Sequence, residues 1–148
     1  MGQPTAEAVL RALDRFVGEW TMVAGPPGGP PWPGAGHVRF EWMAGGTFLL
    51  QRWTVDNPDA PDGTAIIGCD AANGTYTQLY SDERGVCRVY EMRLEGDVWT
   101  LQRAGVPFAQ RFTGTFSADG ATITGRWELA HEGEDWETDF ELVYTRIA

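Results

Sequence analysis

The feature that most constrains this fold is the regular recurrence of turn residues along the chain from Glu19 onward. Clusters of Gly, Asp, Asn and Pro separate short stretches that are rich in Val, Thr, Phe, Trp and Tyr. β-Branched and aromatic residues favour strands, whereas Gly beside Asp or Asn favours the tight turns of hairpins. The pattern predicts about ten strands, at residues 19–24, 37–43, 47–55, 63–70, 75–81, 85–93, 97–103, 108–116, 121–130 and 135–146.

The short connections between these stretches determine how the strands pair. None of them holds a helix long enough for a parallel crossover, so consecutive strands are predicted to pair antiparallel, as an up-and-down meander. So long a meander avoids exposed sheet edges by closing into a barrel. The one predicted helix covers residues 5–16, where apolar residues recur at helical spacing. We therefore predict a single all-β domain over residues 1–148: a short N-terminal helix, 5–16, and an antiparallel β-barrel of about ten strands, 18–147.

The last predicted strand shows most clearly which face is inside. Its acidic residues are predicted to face solvent, and its apolar residues the interior. The two sets alternate: Asp135, Glu137, Asp139 and Glu141 against Trp136, Thr138, Phe140, Leu142 and Tyr144.

The charge balance excludes several classes of partner. The net charge is −10, and all 11 basic residues are arginine, because the chain contains no lysine. An acidic surface repels polyanions, so we expect no nucleic-acid partner and no membrane partner. The lack of lysine also removes Schiff-base chemistry and the phosphate-binding lysine of P-loops.

The chain shows no targeting signal. It has no apolar run of about 18 residues and no basic leader followed by an apolar core, so a cytoplasmic location is expected. Cys69 and Cys87 are then expected to be reduced thiols. The strand at 75–81 is predicted to separate them, which places the two sulfurs too far apart for a disulfide.

Catalytic and metal-binding patterns are not found. His37 and His131 stand alone, without the clustered ligands that a zinc site needs. Ser81 and Ser117 sit beside turn residues and outside a Gly-x-Ser-x-Gly motif. We therefore predict no catalytic residues, no metal site and no cofactor.

Residues 25–36 form the longest predicted loop, and its composition limits its role. Five of its twelve residues are proline, which lacks the backbone N–H of a phosphate cradle. We expect a stiff loop across the mouth of the barrel, with Trp32 folded inward, and residues 56–62 as a second rim loop. The alternative is a PxxP segment that a partner protein recognises.

The two ends of the chain carry a resemblance to a known group. Gly18-Glu19-Trp20 follows the helix, and Arg146 ends the last strand. A Gly-x-Trp, a β-meander and a final Arg-bearing strand resemble the calycins, the group of lipocalins and fatty-acid-binding proteins. The resemblance implies that Trp20 plugs the closed end of the barrel and that Arg146 lies across its indole, a cation–π contact.

A closer resemblance covers nearly the whole chain. The segments 16–20, 81–86, 111–117 and 139–146 resemble a bacterial family of lipocalin-like barrels of unknown function, which implies the fold and brings no activity. The chain resembles nitrobindin, a haem-holding barrel, more distantly. This chain departs from its pattern, because Met22 and Ala24 replace its further alternating glycines and no inward histidine stands on the last strand.

The predicted function depends on whether the interior of the barrel is a cavity or a filled core. Aromatic walls with a few polar groups are typical of a small-molecule site, although they are also found in filled cores. On the family resemblance we expect a cavity, and in it Arg88 and Tyr90 could together hold a carboxylate or carbonyl oxygen. For Arg88 an outward contact with an acid is the alternative. The candidate ligand-binding residues are Trp42, Gln51, Trp53, Tyr76, Tyr80, Arg88, Tyr90, Trp99, Phe112 and Trp127.

The leading hypothesis is therefore a binding protein for a small apolar or amphipathic molecule. A cofactor-free isomerase or cyclase would use the same cavity, with orientation as its main catalytic effect. A haem barrel using His37 or His131 and an interaction domain using the proline-rich loop are further alternatives. A homodimer is left open.

Overall fold

The N-terminal helical segment begins where the sequence places a cap. In the computed structural model, which describes residues 5–147, the Thr5 hydroxyl accepts a hydrogen bond from the Ala8 amide, and α1 (Ala6–Arg11) follows. The chain then tightens into a 3₁₀ helix, Ala12–Phe16, so the α-helix is shorter than predicted. We call residues 6–16 the plug. None of the helices in residues 5–147 has the length and apolar character needed to cross a bilayer.

Ten strands follow the plug, and glycines with a positive φ angle end several of them. Gly74 and Gly120, for example, have φ angles of 65° and 72° in the turns after the fourth and eighth strands. The strands are β1 (Gly18–Gly25), β2 (Gly36–Trp42), β3 (Leu49–Val55), β4 (Gly63–Asp70), β5 (Thr75–Asp82), β6 (Cys87–Glu95), β7 (Val98–Arg103), β8 (Phe108–Phe116), β9 (Thr122–His131) and β10 (Glu137–Arg146).

The sheet closes on itself. Each strand pairs antiparallel with its neighbours in sequence, and β1 also pairs with β10, which completes the ring. The predicted ten-stranded antiparallel barrel is thus confirmed. Because the strands alternate in direction, the β1–β2, β3–β4, β5–β6, β7–β8 and β9–β10 connections lie at one end, the open end.

The plug seals the opposite, closed end. Phe16 is fully buried there and packs against Phe40, Trp99 and Phe116, with ring centroids 4.9–5.2 Å apart. Trp20 pairs in register with Arg146, whose guanidinium lies 4.2 Å from the indole centroid. The predicted contact between these two residues is confirmed.

The beginning of the last strand departs from the predicted alternation. The β9–β10 register shifts between Thr138 and Phe140, as at a β-bulge, and Asp139 lies on the cavity wall at the open end. Trp136 precedes β10 and stacks on the Arg111 guanidinium, 4.3 Å away, instead of lining the interior. Asp139 is solvent-exposed as predicted, but it borders the mouth of the cavity as well. The predicted inward Trp136 is wrong, because the bulge breaks the period of two.

Candidate ligand-binding site

The open half of the barrel encloses a cavity of about 740 Å³. An aromatic band runs along its wall from the mouth to the floor, with successive ring centroids 4.8–6.2 Å apart. Such spacings suit edge-to-face and offset contacts between aromatic rings. The band consists of Trp53, Tyr80, Tyr90, Trp127, Phe112 and Trp99.

Eight of the ten residues predicted to bind a ligand lie on the wall of this cavity. The structure brings them together from β3, β5, β6, β7, β8 and β9. They are Gln51, Trp53, Tyr80, Arg88, Tyr90, Trp99, Phe112 and Trp127.

Trp42 and Tyr76 do not line the cavity. Both lie at the closed end, where their polar atoms hold the plug. The indole N–H of Trp42 donates to Asp14 at 2.9 Å, and the Tyr76 hydroxyl donates to the Val9 carbonyl at 2.6 Å. We therefore correct their role, since an inward-facing residue reaches the cavity only if it stands far enough from the plug along its strand.

Polar groups deep in the cavity are few. Gln51 and Gln78 are buried, and the Gln78 amide donates to Gln51 at 3.3 Å. Burial raises the pKa of Tyr144, with a hydrogen bond from Gln51 acting in the opposite direction. The indole N–H of Trp99 has no acceptor among the described residues. A ligand oxygen is one group that could satisfy this donor.

Nearer the mouth, four polar side chains meet where β6, β7 and β8 adjoin. Arg88, Tyr90 and Gln110 line the cavity, and Arg103 lies beside Gln110. The Oε1 atom of Gln110 accepts hydrogen bonds from Arg88 at 3.0 Å, Tyr90 at 3.0 Å and Arg103 at 3.3 Å. Burial raises the pKa of the Tyr90 hydroxyl, and the hydrogen bond from Arg88 opposes that rise. Arg88 thus faces the interior, and among residues 5–147 it makes no ion pair with an acid on the outer surface, which was the alternative. We call these four residues the arginine cluster.

A buried carboxylate organises the mouth between β5 and β6. Asp82 has no exposed side-chain surface; it accepts from the Tyr80 hydroxyl at 2.6 Å and from the Arg84 guanidinium at 2.7 Å. The bonds from Arg84 hold the pKa of Asp82 well below its ordinary value, against the opposing effect of burial. Tyr80 and Arg84 both line the cavity, so Asp82 holds two of the lining side chains in place.

The two predicted rim loops lie at the mouth as expected. Trp32 lines the cavity and packs on Phe140, with ring centroids 5.7 Å apart. The Asn57 amide of the second loop donates to the Pro33 carbonyl of the first at 3.0 Å, so the two loops are joined.

The histidines lie away from the cavity. His37 is exposed on β2 near Glu19, and His131 is exposed at the end of β9. Within residues 5–147, no group of three His, Cys, Asp or Glu side chains could hold a metal ion. Cys69 and Cys87 are free thiols on β4 and β6, with β5 between them, as predicted.

The sequence did not single out Gln110, which lines the cavity, or its neighbour Arg103, although alternation could have identified both. Arg103 follows Trp99 and Leu101 at a period of two, and Gln110 precedes Phe112 in the same way. Both therefore belong to the inward face of their strands. Arg84 gives no such signal, because it lies in a turn, where alternation does not apply; its bonds to Asp82 hold it beside the cavity.

Comparisons with known proteins identify the fold without a family. No protein-family model and no curated protein matches the chain. The solved structure of Rv2717c from M. tuberculosis is similar, with a TM-score of 0.67 and 16% identity over 95% of this chain and 98% of that one.

A second similar structure is the S-type phycobiliprotein lyase CPES from Guillardia theta. Its TM-score is 0.65 and its identity 12%, over 95% of this chain and 93% of that one. At such low identities the likeness shows the fold alone. The chain thus shares the barrel fold of these two structures, and the resemblances to the calycins, to the bacterial family and to nitrobindin stay predictions.

Proposed function

We propose that this barrel is a binding protein that holds a small apolar or amphipathic molecule in its interior without covalent chemistry. The observation that carries the proposal is the cavity of about 740 Å³, open at one end and lined largely by aromatic side chains. Sites for small molecules are concave, mostly apolar and on the order of 300–1,000 Å³, with a few polar groups that set orientation. The cavity has all of these properties.

The division of the barrel into two halves supports the same proposal. The closed half is packed with its own aromatic side chains around Phe16, whereas the open half leaves a hole beside Trp53, Tyr80 and Trp127. An unfilled apolar cavity lowers the stability of a protein, since the side chains around it lose dispersion contacts. A ligand of matching character would restore those contacts.

The proposal is tested by thermal unfolding and native mass spectrometry with palmitate, quercetin and protoporphyrin IX as probes. At least one compound is expected to raise the unfolding midpoint, since a ligand at a hundredfold excess over its Kd adds about 2.7 kcal/mol to stability. The same compound should appear as a 1:1 complex in the mass spectrum.

A pair of neighbouring substitutions on β1 supplies the control. Ala24 lines the cavity, whereas Val23 points outward and is 43% exposed. Ala24→Trp is expected to fill the cavity and abolish the shift, and Val23→Trp to leave it unchanged. The proposal is overturned if no probe stabilises the wild type, or if Ala24→Trp responds as the wild type does.

A further inference from the structure

The arginine cluster is unusual in its charge. Seven of the 11 arginines form ion pairs with Asp or Glu within the described residues. Arg88 and Arg103 form none there, although the chain carries 21 acidic residues. Both guanidiniums instead donate to the same neutral amide oxygen, that of Gln110. Two adjacent, half-buried positive charges are left without a counter-charge.

The acidic groups around the cavity do not supply that counter-charge. Asp82, the nearest buried carboxylate, is already bound by Tyr80 and Arg84. Asp59 and Asp139 line the mouth, and both are exposed to solvent there. Within residues 5–147, neither of them is paired with an arginine of the cluster.

The hydrogen-bond count in the cluster points to a missing acceptor. A carbonyl oxygen has two lone pairs, yet Gln110 Oε1 faces three donors, from Arg88, Tyr90 and Arg103. A carboxylate offers about four acceptor sites and a negative charge, and it matches guanidinium groups in geometry. An anion placed beside Gln110 would satisfy donors that the protein itself leaves in excess.

The cluster is held in place before any ligand arrives. Arg103 also donates to the Phe108 carbonyl at 3.1 Å, and the Arg88 guanidinium lies 5.7 Å from the centroid of the Phe108 ring. Tyr90 packs edge-on against Trp127, with centroids 5.5 Å apart. Donors fixed in this way lose little conformational entropy on binding.

We propose that Arg88 and Tyr90 bind the carboxylate of an amphipathic ligand whose apolar body lies along the aromatic band, and that Arg103, beside Gln110, supplies a second positive charge. This inference rests on the proposed function and narrows its ligand to an apolar carboxylic acid. The head group sits beside Gln110, and the body extends past Trp127 and Phe112 toward the closed end. A neutral molecule of the same size leaves the two cations unpaired and binds more weakly.

The test compares decanoate with decanol by isothermal titration calorimetry at pH 8, where decanoate is ionised. The wild type is expected to bind decanoate at least about tenfold more tightly, which corresponds to about 1.4 kcal/mol. Arg88→Gln and Arg103→Gln should each weaken decanoate about tenfold and leave decanol unchanged. Arg126→Gln, which removes an exposed charge from β9, is the matched control and should change neither affinity.

Gln110→Glu provides a second test that keeps the shape of the side chain. Its carboxylate would pair with both arginines and lower the net charge of the arginine cluster from +2 to +1, so the preference for decanoate should fall while decanol still binds. The unfolding midpoint should rise, because three donors then meet a charged acceptor.

The outcomes separate the two proposals. Equal binding of decanoate and decanol to the wild type, or a preserved preference in Gln110→Glu, overturns the carboxylate site and leaves the proposed function standing. Binding of neither compound to the wild type, together with no stabilisation by the larger probes, overturns both.

Discussion

At the scale of single residues, the mouth of the cavity depends on one buried carboxylate. Asp82 accepts from the Arg84 backbone amide at 2.9 Å as well as from its guanidinium and from Tyr80. A carboxylate with several donors is stabilised in its charged form, and the pKa of Asp82 lies below its ordinary value of 3.8 for that reason. The charged form therefore contributes to the free energy of folding.

This linkage gives a pH-dependent prediction for Asp82→Asn. Because the folded pKa is depressed, the stabilisation is complete above the ordinary value of 3.8 and is lost as the pH falls below it. At pH 7 the variant should be less stable than the wild type by about 2 kcal/mol. The difference should shrink at pH 3, as urea unfolding at the two pH values would measure.

Asp59→Asn is the control for this experiment. It removes one charge from the same mouth, and its exposed side chain makes no hydrogen bond or ion pair within the described residues. We expect its unfolding free energy at pH 7 to stay within about 0.5 kcal/mol of the wild type. A difference between Asp82→Asn and the wild type that is equal at pH 7 and pH 3 would contradict the assignment.

At the scale of elements, β8 and β9 form a slot for one aromatic ring. Gly114 and Gly125 pair across the two strands and both face inward, and the Phe112 ring lies over them. A Cβ atom at Gly125 would stand 2.5 Å from Phe112 Cε1, and one at Gly114 would stand 2.8 Å from Cε2. Glycine is needed here because of this close approach, and it gives Phe112 its place in the cavity wall.

Gly125→Ala is therefore predicted to push the Phe112 ring into the cavity. The added methyl should lower the unfolding free energy by about 1–3 kcal/mol and weaken both decanoate and decanol. Urea unfolding and calorimetry would measure the two effects. Gly68→Ala is the control: its Cβ meets only the half-exposed Phe48 ring, at 2.9 Å, and binding should be unchanged. Unchanged binding in Gly125→Ala would show that Phe112 does not border the ligand.

The elements also show how far the sequence can predict this fold. Turn residues located every strand to within two residues, because Gly, Asp and Asn act locally; β8, for instance, is predicted and observed at Phe108–Phe116. Alternation placed Trp53 and Tyr90 correctly on the inner face. Alternation could not show that Tyr76 contacts the plug and not the cavity. The position of a side chain along the barrel axis depends on packing between segments that are distant in sequence. The bulge at Asp139 has no local signal either.

The arginine cluster illustrates the same limit for the site. Arg88 and Tyr90 share a strand, so their spacing alone suggested a joint role. Arg103 and Gln110 come from two other strands, and only the β6–β7–β8 pairing brings them to the same point. A sequence therefore shows which side chains lie together on one strand. Which residues of different strands meet can be known only from the pairing register of those strands.

At the scale of the whole molecule, the contacts of one residue, Arg146, join the parts that close the barrel. Arg146 donates to the carbonyls of Val17 and Arg15, at 2.7 and 2.5 Å, while its guanidinium covers Trp20. The Trp20 indole donates in turn to the Phe16 carbonyl at 2.8 Å. The last strand, the first strand and the plug are therefore joined by a single side chain, and the cavity depends on all three.

Arg146→Met tests this closure. It removes the cation–π contact and two hydrogen bonds made by a charged donor, so the free energy of unfolding should fall by about 2–4 kcal/mol. Arg126→Met is the matched control, because it removes an exposed charge and should change stability by less than about 0.5 kcal/mol. Hydrogen exchange should accelerate first along β1 and β10, where the ring would open, and later along β5 and β6. Uniform acceleration over all strands would mean that the contact stabilises the barrel as a whole without controlling its seam.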